Sequence, residues 1–250
     1  MLRLQEEKDN RLTSFCERDV FGTRISACMT VYSTEYPFAL FYLQEIGEQV
    51  TAALCKIDGA MTICCAENAD FEELSQFVKA VGFDSLLCDA SACSRLCLEA
   101  KKNGLIVEYG GMKIKYDNQS ALFAAGFELS DVYDILKRSN FDGLGNRAQW
   151  LSDVSFRVNR GAAKAAVVQE DGELAACAMV LFETQAAALI GAVATLPAHR
   201  GKGYAGALVT SIAREEKAAN KRVELLCASN GIVDFYQKLG FRITGEWTLV

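Results

Sequence analysis

A single histidine, His199, serves all 250 residues, and no two of the ten cysteines are spaced as CxxC. Zinc needs thiolates and imidazoles converging in fours, so no metal centre is expected. Cys64 and Cys65 adjoin in an apolar run, and Cys93 and Cys97 stand four apart on an expected helix. Without partners at metal spacing they read as free thiols, used as small apolar side chains in a reducing compartment. No run approaches the ~20 apolar residues that cross a membrane. The opening MLRLQEEKDNRL is polar and mixed in charge, unlike a secretory leader. A cytoplasmic protein with no membrane partner is expected.

Surplus positive charge is missing too. The net charge of −6 argues against nucleic acid as a partner. The imbalance is local: up to Ser120 there are 18 acids and 12 bases, and beyond it 14 of each. An anion site therefore belongs more naturally to the second half. At 51% hydrophobic and 23% charged, the chain can fill the cores of two ordinary domains or one large one.

The order of elements repeats. Residues 1–35 read as mostly helical. FALFYLQE (38–45), QVTAALCKI (49–57) and AMTICCA (60–66) read as strands, with Asp58-Gly59 as a turn. A helix over 70–82, a short strand over 85–88, a helix over 91–104 and a strand over 111–116 follow. The second half opens with helices over 128–139 and 148–158. Strands over 163–170, 173–183 and 186–196 come next, the first pair joined at Asp171-Gly172. A long helix (203–220), a strand (222–228), a helix (232–240) and a strand (241–250) close the chain. We expect an α/β (α+β) protein of two similar halves, residues 1–120 and 121–250, joined near 117–127. Each half carries a mixed, mostly antiparallel sheet flanked by helices.

PAHRGKGYAGAL, residues 197–208, places three glycines and two cations between the third strand of the second half and its long helix. Gly201, Gly203 and Gly206 satisfy G-x-G-x-x-G, but three strands precede the loop and only 44 residues follow it. A dinucleotide fold puts these glycines after its first strand, with an acid about 20 residues on. No Gly-Lys-Ser/Thr follows the loop, which excludes a nucleotide-triphosphate P-loop.

Read instead as Arg200-x-x-Gly203-x-Ala205 after VATLP, the loop resembles the acetyl-coenzyme A loop of the GNAT superfamily of N-acetyltransferases. The resemblance covers about residues 121–250 and implies an acyl-CoA N-acyltransferase-like fold. Main-chain amides at Gly201, Gly203, Tyr204 and Ala205 would face the cofactor's pyrophosphate at the positive end of the helix dipole. Glycines let the phosphates approach the backbone, and Arg200 and Lys202 add charge. IGAVATLP (190–197) is similar to the family's fourth strand, whose backbone at Val193, Ala194 and Thr195 would pair with pantetheine beside a parted neighbour. FYQKLGF (235–241) is similar to the family's late helix, and Tyr236 falls on the tyrosine that protonates the leaving thiolate in many relatives. Read without the family, Tyr236 is a core aromatic with a satisfied hydroxyl.

Two departures stand out. Relatives often carry an asparagine seven residues before that tyrosine. Here the seventh is Ser229 and Asn230 follows it, so either can take the contact. Many relatives also use a central-strand glutamate as general base, and residues 186–196 contain no acid. Glu183 is the nearest candidate; its plainer reading is a solvated strand-end charge. Water, a backbone carbonyl or an amine arriving neutral are the alternatives. His199 reads as an ordinary loop residue.

At the place of the loop, the first half has AENADFEELSQF (66–77), with four carboxylates and neither glycine nor arginine. It should bind no coenzyme A, and instead wall the acceptor site or support a homodimer. Its acidity hints at a cationic acceptor. The resemblance implies an enzyme that moves an acetyl group from acetyl-CoA to a small-molecule or peptide amine by direct attack. A coenzyme A-binding regulatory module without turnover, and an enzyme using another acyl-CoA, are the alternatives.

Overall fold

The Asp-Gly corner after residue 170 takes the form its sequence demands. Asp171 and Gly172 both have positive φ, 51° and 83°, the backbone of a two-residue turn that matches strand twist. In the computed structural model, which describes residues 2–4, 10–111, 123–228 and 230–250, this hairpin belongs to the second of two units. The first unit comprises Met1–Val107, Leu226–Val233 and Ile243–Val250; the second comprises Glu108–Leu225 and Asp234–Arg242. The strand expected at 111–116 and the join near 117–127 fall largely outside the described residues.

In the first unit, β1 (Leu2–Leu4), β2 (Ala39–Ile46), β3 (Gln49–Ile57) and β4 (Ala60–Cys65) pair antiparallel in that order. β5 (Ser85–Asp89) then joins β4 in parallel. Helices α1 (Asn10–Cys16), α2 (Val20–Tyr32), α3 (Phe71–Val81) and α4 (Ala90–Arg95) complete the half. Leu54, Ile63, Leu74, Leu86 and Leu96 are sealed in its core.

Two expectations for this half are corrected. Residues 2–4 are a strand rather than part of a helix: the start of the chain pairs with β2, Leu2 opposite Gln44. Three residues are too few for periodicity to reveal. The helix expected to run to residue 104 stops at Arg95. Cys97 turns left-handed at φ 54°, and Lys102–Tyr109 is strand β6. Gly104 is therefore not a helix stop but a strand residue without room for a side chain. A Cβ there would sit 2.1 Å from the Cys227 carbonyl oxygen.

The second unit holds α5 (Leu129–Arg138), α6 (Arg147–Asn159), β7 (Lys164–Glu170), β8 (Glu173–Glu183), β9 (Ala187–Thr195), α7 (Tyr204–Ala218) and β10, Arg222–Cys227, through Leu225. α8 (Asn230–Lys238) and β11 (Phe241–Leu249) close the chain. β7, β8 and β9 pair antiparallel, and β10 joins β9 in parallel. The succession of β2–β5 in the first half, three antiparallel strands and a parallel fourth, is thus repeated in β7–β10. Leu136, Val154, Val167, Cys177 and Met179 fill the core between α5, α6 and the sheet. The last strand works in the first unit: Trp247–Leu249 pair with Leu87–Asp89 of β5.

β9 carries one irregularity that shapes its exposed edge. Met179 faces Gly191 and Cys177 faces Ala194, so β9 spends one more residue than β8 over this stretch. Ala192 takes up the surplus at φ 50°. Such a bulge bends a strand and increases its twist. The parallel ladder to β10 runs from Ala187 opposite Arg222 to Ile190 opposite Leu225 and stops there, next to the bulge.

All ten cysteines are free and eight are buried. Burial pushes the Cys177 thiol up to about 12, so it packs as an apolar group.

Ala192 is buried and left-handed, a conformation that β-branched side chains strongly resist. Ala192→Val should lower the unfolding free energy by about 1–3 kcal/mol, read from urea denaturation of the two proteins.

Candidate active site

After the bulge, the edge of β9 from 191 to 195 has no β10 partner among the described residues. Gly191, Val193 and Thr195 are half-buried along it, while Ala192 and Ala194 point into the core. β9 then leads through the short turn Pro197–His199 into the glycine loop and α7. The His199 N–H donates to the Leu196 carbonyl at 2.9 Å and tightens the turn.

The start of α7 differs from those of α2, α3, α4 and α6. Side-chain oxygens of Asp19, Asp70, Asp89 and Asn146 accept the first amides of α2, α3, α4 and α6. α7 has Gly203 in that place, left-handed at φ 84° and with no side chain to accept anything. Gly201 is also left-handed, at φ 79°. Among the described residues nothing accepts from the main-chain N–H of Gly201, Lys202, Gly203, Tyr204 or Ala205. Five donors at the positive end of a 15-residue helix form a cradle suited to an anion.

The two cations of the loop are engaged elsewhere. Arg200 Nε donates to the Thr195 carbonyl at 3.2 Å, and its terminal nitrogen to the Ser139 carbonyl at 3.4 Å. Arg200 thereby ties the end of β9 to the C-terminus of α5, where carbonyls carry negative charge. Lys202 Nζ lies 2.7 Å from Glu170 Oε2.

Glu170 was not singled out by the sequence, nor was the role of His199. His199 Nδ1 is 2.6 Å from Glu170 Oε2, and its Nε2 is 3.5 Å from Glu173 Oε2. Arg138 holds the other Glu173 oxygen at 2.9 Å. Lys202, Tyr204 and His199, in that order, pull the Glu170 carboxyl down to about 2. The same hydrogen bond pushes the Tyr204 hydroxyl up to about 12. The signal for this cluster was register rather than composition. Glu170 and Glu173 close the hairpin, and pairing of Ala176 with Thr195 sets that hairpin beside the loop.

The other expected residues are dispersed. Tyr236 is buried on α8, its ring 5.8 Å from Phe241 and 5.0 Å from Phe235. Asn230 opens α8, and Ser229 lies outside the described residues. Glu183 faces Ala188 at the opposite end of β9, seven residues from Thr195 or about 23 Å along the strand. Its carboxylate is bound by Lys221, which also meets Glu216 at 2.8 Å. Burial works against the Lys221 charge, yet Glu183 and Glu216 hold its ammonium above the usual range. No group of three or more His, Cys, Asp or Glu among the described residues could hold a metal ion, and no described helix is long and apolar enough to cross a membrane.

Residues 162–243 match the family model described as an acetyltransferase (GNAT) domain. The match lies within the second half of the chain. No curated protein matches the sequence. Among solved structures, a GNAT-family acetyltransferase from Colwellia psychrerythraea is 15% identical, with a TM-score of 0.59 over 100% of this chain and 98% of that one. A tandem GNAT protein from the clavulanic acid biosynthesis pathway is 13% identical, with a TM-score of 0.59 over 100% and 97%. A Drosophila protein is 14% identical, with a TM-score of 0.68 over 99% and 98%. At these identities the likeness is one of fold, and it extends over both halves.

Glu170 has its pKa lowered by folding, so its contribution to stability is present above the unfolded value of 4.5 and is lost as pH falls towards about 2. The stability difference between the wild type and Glu170→Gln should therefore be full at pH 6 and shrink by pH 3, as measured by denaturant titration at each pH.

Proposed function

We propose that this chain is an N-acetyltransferase of the cytoplasm that moves an acetyl group from acetyl-CoA to a primary amine on a small molecule or peptide. Acyl transfer from an acyl-CoA is what the GNAT domain supports. The observation that carries the finer reading is the cradle of five unpartnered amides where β9 stands without β10. The residues fit the group. Gly201 and Gly203 present backbone without Cβ, and space around Gly201 is open to 4 Å. Gly201, Lys202, Gly203, Tyr204 and Ala205 hold the diphosphate through main-chain N–H groups. Arg200 shapes the loop from behind. The free edge at Val193, Ala194 and Thr195 takes the pantetheine arm as a strand would be taken, and Ser229 or Asn230 makes the additional contact.

The acyl-CoA supplies an acyl group on a thioester, which a neutral amine attacks directly. The Tyr236 hydroxyl then gives its proton to the departing sulfur. No carboxylate on β9 removes the amine's proton, and Glu183 is committed to Lys221. That commitment favours water or an amine arriving neutral as the route. It also favours a second reading, a coenzyme A-binding module without turnover. Thiol release with a panel of amines separates the two, and parallel assays with succinyl- and malonyl-CoA test the acyl group.

In this reading residues 121–250 are the working domain and residues 1–120 a partner domain without a cofactor loop. Support comes from the start of α3, where the cradle is filled by the protein itself. Asp70 Oδ1 accepts from Glu72 N at 3.1 Å and Glu73 N at 3.0 Å, and buried Gln44 accepts from Asp70 N at 2.9 Å. An external phosphate would find these three donors taken and would meet carboxylates.

Gly203→Asp places a β-carbon on left-handed backbone and a carboxylate among the amides. Calorimetry with coenzyme A should find binding weakened at least ~100-fold, two factors of ten being about 2.8 kcal/mol. Wild-type affinity in that variant would end the assignment. Tyr236→Phe should lower kcat by about 10²–10⁴ with little change in KM, as read from thiol release against acetyl-CoA concentration.

A further inference from the structure

The Glu170 carboxylate gathers three residues of one loop. His199 Nδ1 and Lys202 Nζ lie 2.6 and 2.7 Å from the same oxygen, and the Tyr204 hydroxyl donates to the carboxylate as well. These three alternate in sequence with Gly201 and Gly203, the two left-handed glycines that shape the cradle. Glu170 itself is on firm ground. It ends β7, opposite Glu173 across the Asp171-Gly172 turn, and Glu173 approaches the second nitrogen of His199 at 3.5 Å while bound to Arg138.

A loop with two glycines has much conformational freedom to lose when it grips a ligand, and fixing it beforehand removes that cost from binding. From this geometry we infer that Glu170 is a positioning residue. Through His199, Lys202 and Tyr204 it holds the loop in the shape that receives a diphosphate. Lys202 then acts as the other half of the latch, not as a phosphate ligand, and the anion is held by neutral amides. Glu170 touches no substrate in this scheme. The inference deepens the acyl-CoA reading above and rests on it for the identity of the ligand.

The experiment is a double-mutant cycle on the full chain, with coenzyme A as the probe. Affinity is measured by calorimetry for the wild type, Glu170→Gln, Lys202→Met and the double variant, each verified as folded by circular dichroism at the working temperature. The latch predicts that each single change weakens binding about 3- to 10-fold. The double variant should be no weaker than the worse single one, because Lys202 works only through Glu170. A Lys202 that met phosphate directly would behave oppositely. Freed from Glu170, it would tighten binding in Glu170→Gln, or the two losses would multiply. Either result overturns the inference.

A second measurement needs no ligand. The bonded amides of His199 and Ala207 flank the loop, and in Glu170→Gln their hydrogen exchange should accelerate at least ~10-fold. Unchanged exchange there sinks the latch even if coenzyme A binds. Accelerated exchange in a protein whose wild type does not bind coenzyme A would sustain the latch and reject the acyl-CoA reading.

Discussion

Backbone donors with no acceptor among the described residues are the constraint around which the second unit is arranged. A helix begins with amides that its own carbonyls cannot reach, and α2, α3, α4 and α6 satisfy some of them with an aspartate or asparagine. α7 does not, and the residues before it are folded so that no side chain can. Two left-handed glycines bend the chain, Arg200 ties the turn to β9 and α5, and the hairpin carboxylates hold its remaining side chains. In the proposed reading, the stretch of β9 without β10 and the amides beside it offer one extended ligand both strand-like pairing and an anion site.

The two halves treat these donors in opposite ways. Both run three antiparallel strands into a parallel fourth, with a helix following the third strand. Topology alone therefore gives neither half a function. The difference lies in a few residues at one helix start. Asp70 and Gln44 consume the donors of α3, whereas Gly203 leaves those of α7 open. The same dipole stabilises an internal carboxylate in one unit and is available to an external phosphate in the other.

Charge plays a different part from the one its position suggests. Arg200 and Lys202 flank the amides, yet their side chains are spent on a pair of carbonyls and on Glu170. They stiffen the loop more than they charge it. At the far end of β9 the ion pairs of Glu183, Glu216, Lys221 and Lys164 clamp α7 to the sheet. That leaves β9 without a carboxylate for proton removal at either end.

Much of this was legible in the sequence. Period-2 and period-3.6 patterns gave most element bounds in the second half to within a few residues. The Asp171-Gly172 corner and Gly203 before Tyr204 identified the hairpin and the glycine-led start of α7, because both depend on local backbone requirements that particular residues meet. The short strand at residues 2–4, the end of α4 at Arg95 and the strand at Gly104 were not legible. The first and the last are set by partners distant in the chain: β2, and for Gly104 the carbonyl of Cys227.

The sequence by itself determined the order of elements in the second half and the open start of α7, since a glycine at the cap has no side chain to accept a hydrogen bond wherever it is placed. Only the tertiary structure decided that Lys202 belongs to Glu170, that His199 sits between two carboxylates and that Glu183 is locked at the wrong end of its strand. Those pairings depend on strand register, which side chains dozens of residues apart set together by packing on one another.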